Sequence, residues 1–396
     1  MNSAPDLSSR LSVAELPPLE ILQREWQALE PRAQPSFFTS WMWIGTWLAS
    51  LGSTGNARVI RAERGGVVVG MAVIVLSDAR RYGVLPVRTA HLHETGLAAC
   101  DAITVEYNGF LVDREHATTV ARDMALGLLN LDSSLDEVRM SAVLLPLDDL
   151  PAGLQMRSVP HPSYYVDMAA ITASGKDFLG ALKQRQRYLV RKSIKKLTES
   201  TPLRIVESQT LDEARATFAD LERLHTAFWQ ARGVAGAFGT EFQRRFHARL
   251  VETAWSTRAV RLLSVRRGDA LLGCFYYFCH AGWVHYYQSG IDYTLFESTE
   301  SPGLAAHALA IEHFRSEGLK VYDFMAGDRQ YKRTLSTGEM TQHWIVLQRR
   351  SAKMIFEDFA LKSGKRTRDR WRQAQAWCRD AMRGTRTAAP LANEQP

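Results

Sequence analysis

Short stretches rich in β-branched residues and broken by two-residue turns occur in two parts of the chain, and they predict antiparallel strands. The first is ARVIRAERGGVVVGMAVIVLS, residues 57–77, with a hairpin turn at Gly65-Gly66. The second is a three-strand meander over 259–293, with turns at Gly268-Asp269 and Ala281-Gly282. Single strands are predicted near 136–145, 155–168, 319–325 and 341–349.

Apolar positions three and four residues apart predict helices in the same two parts of the chain. We expect two helices within 18–52, one over 114–130, two long ones from 211 to 256, and one that begins at Pro302 and ends at Gly318. In both halves helices come first, antiparallel hairpins follow, and a crossover helix comes next. This shared order predicts a duplicated α+β fold.

The length of 396 residues favours two domains. We predict a flexible N-terminus at 1–11, a first domain at 12–160, a second at 161–350, and a basic helix with a disordered tail at 351–396. No apolar run approaches 18 residues and the first residues lack a secretory layout, so we expect a cytoplasmic protein. An apolar face around Trp371 and Cys378 also fits a peripheral membrane contact.

Positive charge is concentrated in one predicted helix. The net charge is +7, and seven basic residues lie between Lys183 and Lys196 with no carboxylate among them. On a helix, Phe178, Leu182, Leu189, Ser193 and Leu197 form one buried stripe and leave the basic side chains exposed. This favours a phosphate-facing surface, although a basic protein also carries such runs through composition alone.

Two further stretches have the composition of binding or catalytic loops. In STESPGLAAHA the small residues of a helix N-terminus suit a phosphate, although Ser-Pro-Gly is also an ordinary helix start. In VYDFMAGDRQYKRTLS a polar loop follows an apolar strand. There Asp323 is a candidate base, Tyr331 a proton donor and Lys332 an anion-binding group. The alternative is a solvated turn with an ion pair at Asp328.

The remaining candidates are aromatic and histidine side chains. His285 and Tyr287 share one strand face and are the polar members of an aromatic run, which either lines an acceptor cleft or belongs to the sheet core. His91 and His93 lack a third metal ligand at a recognisable spacing, so we predict no metal. The motifs of P-loop nucleotide binding, nucleophile-elbow hydrolases and zinc proteases do not occur.

Three segments together resemble the GNAT-type acyltransferases of the CelD (BioF2-like) group, which is related to the Fem peptidyltransferases. They are PSFFTSWMWIGTWL, FLGALKQRQRYLVRKSIKKL and SPGLAAHALAIEHFRSEGLKVYDFMAGDRQYK. The resemblance implies tandem GNAT-like domains with mixed, largely antiparallel sheets flanked by helices, and an acyl-CoA held between two splayed strands.

Site residues follow from the resemblance as expectations. Those expected to cradle the CoA pyrophosphate are Ser301, Gly303, Leu304 and Ala305. The resemblance places Asp328, Tyr331 and Lys332 in the catalytic cleft, and the residue pattern adds Asp323 and His285 as catalytic candidates. For substrate binding the resemblance gives Arg187, Arg191 and Lys192, and the strand pattern adds Tyr287. The usual Q/R-x-x-G-x-G/A loop is matched only in its second half, at Gly303 and Ala305.

The sequence therefore predicts an acyl-CoA-dependent N- or O-acyltransferase that acts on a small or saccharide-linked acceptor, in exopolysaccharide or cellulose biosynthesis. Acetyl-CoA or another acyl-CoA is the predicted co-substrate, and a phosphorylated or nucleotide-linked ligand is a further predicted partner. Two alternatives remain open. One is a Fem-like aminoacyltransferase that uses aminoacyl-tRNA, and the other is a non-catalytic GNAT-like subunit of a polysaccharide-synthesis complex.

Overall fold

The computed structural model describes residues 9–145, 147–198, 201–297 and 300–356. Its strands are β1 Arg10–Glu15, β2 Ala57–Arg64, β3 Val67–Arg81, β4 Leu85–Leu92, β5 Leu111–Val112, β6 Glu137–Val143, β7 Leu154–Asp167, β8 Leu203–Glu207, β9 Val260–Arg267, β10 Ala270–His280, β11 Trp283–Ile291, β12 Val321–Ala326 and β13 Gly338–Arg349. Its helices are α1 Leu19–Leu29, α2 Trp41–Ser50, α3 Ala98–Asp101, α4 Ala117–Leu131, α5 Met168–Ala173, α6 Phe178–Ala181, α7 Gln184–Thr198, α8 Leu211–Gln230, α9 Glu241–Ala254, α10 Pro302–Ser316 and α11 Gln330–Leu335.

The strands form one continuous mixed sheet in the order β1-β2-β3-β4-β6-β13-β7-β12-β11-β10-β9-β8, and β5 pairs with β3. Most neighbours are antiparallel, but β4 pairs with β6 and β11 pairs with β12 in parallel. A parallel pair needs a crossover connection, which α4 and α10 provide. The predicted mixed, largely antiparallel sheet is thus confirmed.

The two halves repeat the same succession of elements. A strand, two helices and three antiparallel strands precede a crossover helix in each, from β1 to α4 and from β8 to α10. The parallel contact that follows is short in both halves, because three residue pairs join β4 to β6 and three join β11 to β12. His91 and His285 occupy the same place, the last pair of each contact. The duplicated fold predicted from element order is therefore observed, and it agrees with the tandem GNAT-like domains that the resemblance implies.

The last strand, β13, joins the two halves into one sheet. β13 lies between β6 and β7, and β7 in turn pairs with β12 of the second half. The domain boundary that we predict at residue 160 lies inside β7 and stays a prediction.

One hydrophobic core spans both halves and fixes their relative position. The rings of Phe37 and Phe278 stack at a centroid distance of 4.5 Å, and Trp43 meets Phe246 edge-on at 4.8 Å. Trp43 is fully buried. Aromatic pairs of this kind add stability beyond the area that they bury. The core therefore holds α2 of the first half against α9 and β10 of the second.

Most predicted helices and strands are present within two or three residues of the expected bounds. Within the part of the chain that the structure describes, every helix is too short or too polar to cross a lipid bilayer. Residues 357–396, which include most of the predicted basic tail helix, lie outside the described residues.

Candidate active site

The parallel strands β11 and β12 separate after the pair His285 and Asp323. Two irregularities mark this point. Tyr276 of β10 pairs with Gln288 and Tyr277 with Tyr286, so Tyr287 is an extra residue that bulges from β11. On β12, Met325 has a φ of 62°, in the left-handed region. Bulges and strained residues of this kind are enriched at functional sites.

A cavity of about 720 Å³ opens where the two strands separate. Four parts of the chain line it: β11 from Tyr286 onward, the end of β12 with the start of α11, the C-terminal part of α8, and a first-half segment that contains Thr104 and Glu106. The site is therefore built from both halves, and the shared core described above keeps its walls together.

Glu106 is the carboxylate that lines this cavity, and it comes from the first half. It follows α3 in a segment where Thr104 and Tyr107 both have positive φ, at 49° and 47°. Its Oε2 accepts hydrogen bonds from the Ala326 amide at 2.6 Å and from Gln342 Nε2 at 3.1 Å. Burial raises the pKa of Glu106 to about 7, against the opposing effect of the Ala326 amide. A carboxyl group with this pKa exchanges a proton near neutral pH.

Lys332, in the first turn of α11, is buried beside the same carboxyl group. Its Nζ donates to the carbonyl oxygens of Met325 at 3.0 Å and Ala326 at 2.6 Å. Burial lowers the pKa of Lys332, while the negative charges of Glu106 and Asp323 raise it. The ammonium group thus holds the irregular end of β12 in place and puts positive charge close to Glu106.

The corresponding opening in the first half is filled by the chain itself. Asn108 donates from its amide to Ala142 O at 3.1 Å and from Nδ2 to Leu92 O at 2.9 Å, so it bridges β4 and β6 where they separate. Its Oδ1 lies 2.9 Å from His93 Nδ1. The segment that fills this opening also contains Glu106, and it places Glu106 at the cavity of the second half.

The N-terminus of α10 lies beside the end of β11. A Cβ at Gly303 would find its nearest neighbour, Ile291 Cδ1, at 4.0 Å, so there is open space at this turn. The Leu304 amide donates to Ser301 O, while the amide of Gly303, in the first turn of the helix, has no acceptor among the described residues. Free amides at the positive end of a helix suit an anion. Residues 298 and 299 of the predicted loop lie outside the described residues.

The basic helix α7 packs against α10, and Ser193 Oγ donates to Ser301 O at 2.7 Å. The guanidinium group of Arg187 is bound to the backbone just before its own helix, since its Nη2 donates to the carbonyls of Gly180 and Leu182. Arg191 and Lys192 are exposed and have no acidic partner among the described residues. The predicted stripe needs one correction, because Val190 is buried and Leu189 is 39% exposed. The reason is that 178–181 forms a separate short helix, so the helical register does not continue from Phe178.

Three predicted residues line the cavity: Tyr287, Tyr331 and Lys332. Tyr287 donates its hydroxyl hydrogen to Ile103 O. The Tyr331 ring stacks on His307 at a centroid distance of 5.2 Å. Burial raises the pKa of Tyr331 well above its usual value, so its hydroxyl group is protonated at neutral pH.

The other predicted catalytic residues do not line the cavity. Asp323 is fully buried and accepts from Met325 N at 2.9 Å, while its Oδ2 lies 2.8 Å from His285 Nδ1. This buried pair is the last residue pair of the parallel contact between β11 and β12, and neither side chain reaches the cavity. Asp328 is exposed and forms an ion pair with Arg333 at 2.5 Å, which matches the alternative of a solvated turn.

One group of metal-ligand type occurs elsewhere among the described residues. Atoms of Glu207, His313 and Glu317 lie within 4.8 Å of one another. Arg261 donates to both carboxylates, with 2.8 Å from Nη1 to Glu317 Oε2. Arg258 pairs with the same two carboxylates, so two guanidinium groups balance their charge in an ion-pair network, and this gives the cluster a structural role.

Comparison with known proteins supports the broader part of the resemblance, which is to GNAT acetyltransferases. Residues 184–333 match the family model described as an acetyltransferase (GNAT) domain. The matched stretch begins with α7 and ends in α11, so it contains the second-half part of the cavity. No curated protein matches the chain. The finer assignment to the CelD group stays a prediction.

Several solved structures are similar to this chain at low sequence identity. A conserved protein of unknown function from Bacteroides thetaiotaomicron VPI-5482 is 8% identical with a TM-score of 0.52, over 86% of this chain and 100% of that one. A DUF2156 domain from Agrobacterium fabrum, described as the C-terminal part of a lysylphosphatidylglycerol synthetase, is 11% identical with a TM-score of 0.50, over 87% and 97%. FemX is 12% identical with a TM-score of 0.49, over 84% and 96%.

Proposed function

We propose that the protein is an acyltransferase that binds an acyl thioester between β11 and β12 and transfers the acyl group to an amine or hydroxyl group. The observation that carries the proposal is the cavity at the strand separation, in which a carboxyl group with a pKa of about 7 faces the space between the strands. The GNAT match over residues 184–333 supports the same reaction class.

The donor in this proposal is acetyl-CoA or another acyl-CoA. Beyond His285 no strand among the described residues pairs with the edge of β11 that faces β12, so backbone groups on this edge are available to the amides of the donor's pantetheine arm. The amide of Gly303 would bind the pyrophosphate, with Ser301, Leu304 and Ala305 completing that turn. Arg191 and Lys192, on the neighbouring face of α7, would attract the donor's phosphates, while Arg187 would position the start of that helix.

Glu106 is the general base in this proposal. The acceptor amine or hydroxyl group attacks the thioester carbonyl, the bond from nitrogen or oxygen to carbon forms, and the acceptor's proton passes to the Glu106 carboxylate. The carbon–sulfur bond then breaks, and the Tyr331 hydroxyl group gives its proton to the leaving thiolate. Lys332 holds the β12 end and stabilises the ionised form of Glu106. The buried pair Asp323 and His285 supports this end of the strand, and Tyr287 shapes the wall.

Thiol release from acetyl-CoA tests the proposal, with a panel of amines and amino sugars as acceptors. Glu106→Gln should lower the rate by about 10² to 10⁴ at pH 8, the range typical of a lost general base. The matched control is Glu94→Gln. Glu94 also has a pKa of about 7 through burial, but it lies at the filled opening of the first half. Equal rates in the wild type and Glu106→Gln would contradict the assignment of the base.

A second candidate donor is an aminoacyl-tRNA, and the exposed basic face of α7 next to α10 favours it. Binding to a polynucleotide weakens steeply with salt, because phosphate contacts release counterions. A gel-shift titration with tRNA at two salt concentrations separates the donors. A slope near zero would exclude tRNA. Turnover of aminoacyl-tRNA with none of acetyl-CoA would replace the CoA proposal.

The predicted pathway, exopolysaccharide or cellulose biosynthesis, rests on the resemblance alone and stays a prediction, as does the cytoplasmic location. The alternative of a non-catalytic subunit predicts binding of acyl-CoA without turnover of any acceptor, so the same assay tests it. Residues that the membrane-anchor alternative needs, among them Trp371 and Cys378, lie outside the described residues.

A further inference from the structure

The two faces of β11 carry different partners at the cavity. On one face Tyr286 meets His307 of α10 edge-on, at a centroid distance of 4.5 Å. On the other, a Cβ at Gly290 would approach Leu221 O of α8 to 2.7 Å, so α8 packs directly on the strand. The Tyr287 hydroxyl group reaches Ile103 O, on the segment that carries Glu106. Thus α8 and the proposed base approach the strand separation from the face opposite α10, where the donor's phosphates are proposed to bind.

Arg232, just after α8, lines this side of the cavity. Its guanidinium lies over the Phe228 ring, with Cζ 3.6 Å from the ring centroid, and its Nη1 donates to Phe228 O at 2.9 Å. These contacts hold the side chain in one place without neutralising it, because no carboxylate among the described residues pairs with it. Most of its N–H groups remain available to a ligand.

Arg329, at the start of α11, lines the same cavity and has no carboxylate partner among the described residues. With Lys332 this gives three cationic side chains and one lining carboxyl group, that of Glu106. A guanidinium binds carboxylate and phosphate groups through paired hydrogen bonds. The excess of positive charge is therefore suited to an anionic ligand rather than to an uncharged or cationic one.

We propose that the acceptor is an amine that also carries a carboxylate or phosphate group, and that Arg232 and Arg329 bind this anionic group at the mouth of the cavity. The inference rests on the proposed function, since it names the acceptor class of the same site. The aromatic pair Phe228 and Tyr293, at a centroid distance of 4.9 Å, offers a flat surface beside Arg232 for a ring of the acceptor.

Matched pairs of amines test the proposal: 2-phenylethylamine against L-phenylalanine, which adds a carboxylate, and glucosamine against glucosamine 6-phosphate, which adds a phosphate. In the thiol-release assay the anionic member of at least one pair should have a kcat/KM at least tenfold higher, equivalent to about 1.4 kcal/mol. The pair that shows the preference identifies which anion is bound. Equal kcat/KM within both pairs would overturn the proposal.

Arg232→Gln and Arg329→Gln should each reduce that preference about tenfold and leave the KM for acetyl-CoA unchanged. Arg223→Gln is the control, because Arg223 lies on the outer part of α8 and pairs with Asp220. It should keep the preference. A higher KM for acetyl-CoA with an unchanged preference in either cavity variant would assign that arginine to the donor and overturn the proposal.

Binding is measured separately by ligand-observed NMR with the same four amines, so that a failure of the proposed reaction is distinguishable. If no acyl transfer is found, tighter binding of an anionic member that is lost in Arg232→Gln still supports the anion site. Equal binding within both pairs, or no binding of either anionic member, overturns it.

Discussion

Replacing Glu106 by glutamine should stabilise the protein at alkaline pH while it removes activity. The folded state holds the proton of this carboxyl group up to a pKa of about 7, whereas its ordinary value is 4.5. Protonation of the folded state therefore adds stability that is present below pH 4.5 and is lost as pH rises through 7. At about 1.4 kcal/mol per pKa unit, the loss is about 3 kcal/mol.

Glutamine at position 106 is uncharged at every pH, and its side-chain oxygen retains the acceptor for the Ala326 and Gln342 donors. We expect the free energy of unfolding of Glu106→Gln to exceed that of the wild type by up to about 3 kcal/mol at pH 8 and by much less at pH 5. Urea denaturation at the two pH values measures this difference, and thiol release measures the loss of activity.

Glu94→Gln separates the two effects. Burial raises the pKa of Glu94 to about 7 as well, so its replacement should give a similar pH-dependent gain in stability with full activity. Lower stability of Glu106→Gln at pH 8, or a gain of the same size at both pH values, would refute the argument from burial. Full activity in Glu106→Gln would refute its role as the base.

Three other changes probe the donor side and the neighbourhood of Glu106. Lys332→Met removes two hydrogen bonds and a cation beside Glu106. It should lower the free energy of unfolding by about 1–3 kcal/mol in urea denaturation and move the midpoint of the pH–rate profile above 7. An unchanged midpoint would contradict the proximity of the charges. Gly303→Asp places a carboxylate where the pyrophosphate is proposed to bind and should raise the KM for acetyl-CoA more than tenfold. Gly303→Ala adds a methyl group for which there is space, so it should change this KM little. Equal effects of the two substitutions would exclude an anion site there. Arg191→Glu should leave the thermal midpoint unchanged and weaken acyl-CoA binding in calorimetry about tenfold, and unchanged affinity would remove α7 from the donor site.

The periodicity of the sequence predicted the helices and strands because most of them have an apolar face or a defined turn. Gly65-Gly66 and Pro302 are examples in which local backbone chemistry sets the boundary. The order of the strands was not predicted. The position of β13 between β6 and β7 depends on pairing across about two hundred residues, and no local pattern specifies such a partner.

Only the part of the candidate site that lies close together in the sequence was predicted. Tyr331 and Lys332 follow a strand directly, so local sequence brings them to its end. Glu106 belongs to the other half, and its only signal was a single carboxylate in the apolar segment AITVEYNGF. The bonds from Arg187 to the carbonyls of Gly180 and Leu182 depend on the break between α6 and α7, and the burial of Asp323 depends on tertiary contacts. The spacing of charges reveals neither.

A calorimetric titration of the full chain with acetyl-CoA tests the central claim most directly. The first-half opening is filled by Asn108 and the second-half opening is free, so the account predicts one binding site per chain, weakened at least tenfold by Gly303→Asp. Two sites per chain, no binding, or binding unaffected by Gly303→Asp would contradict a donor site between β11 and β12.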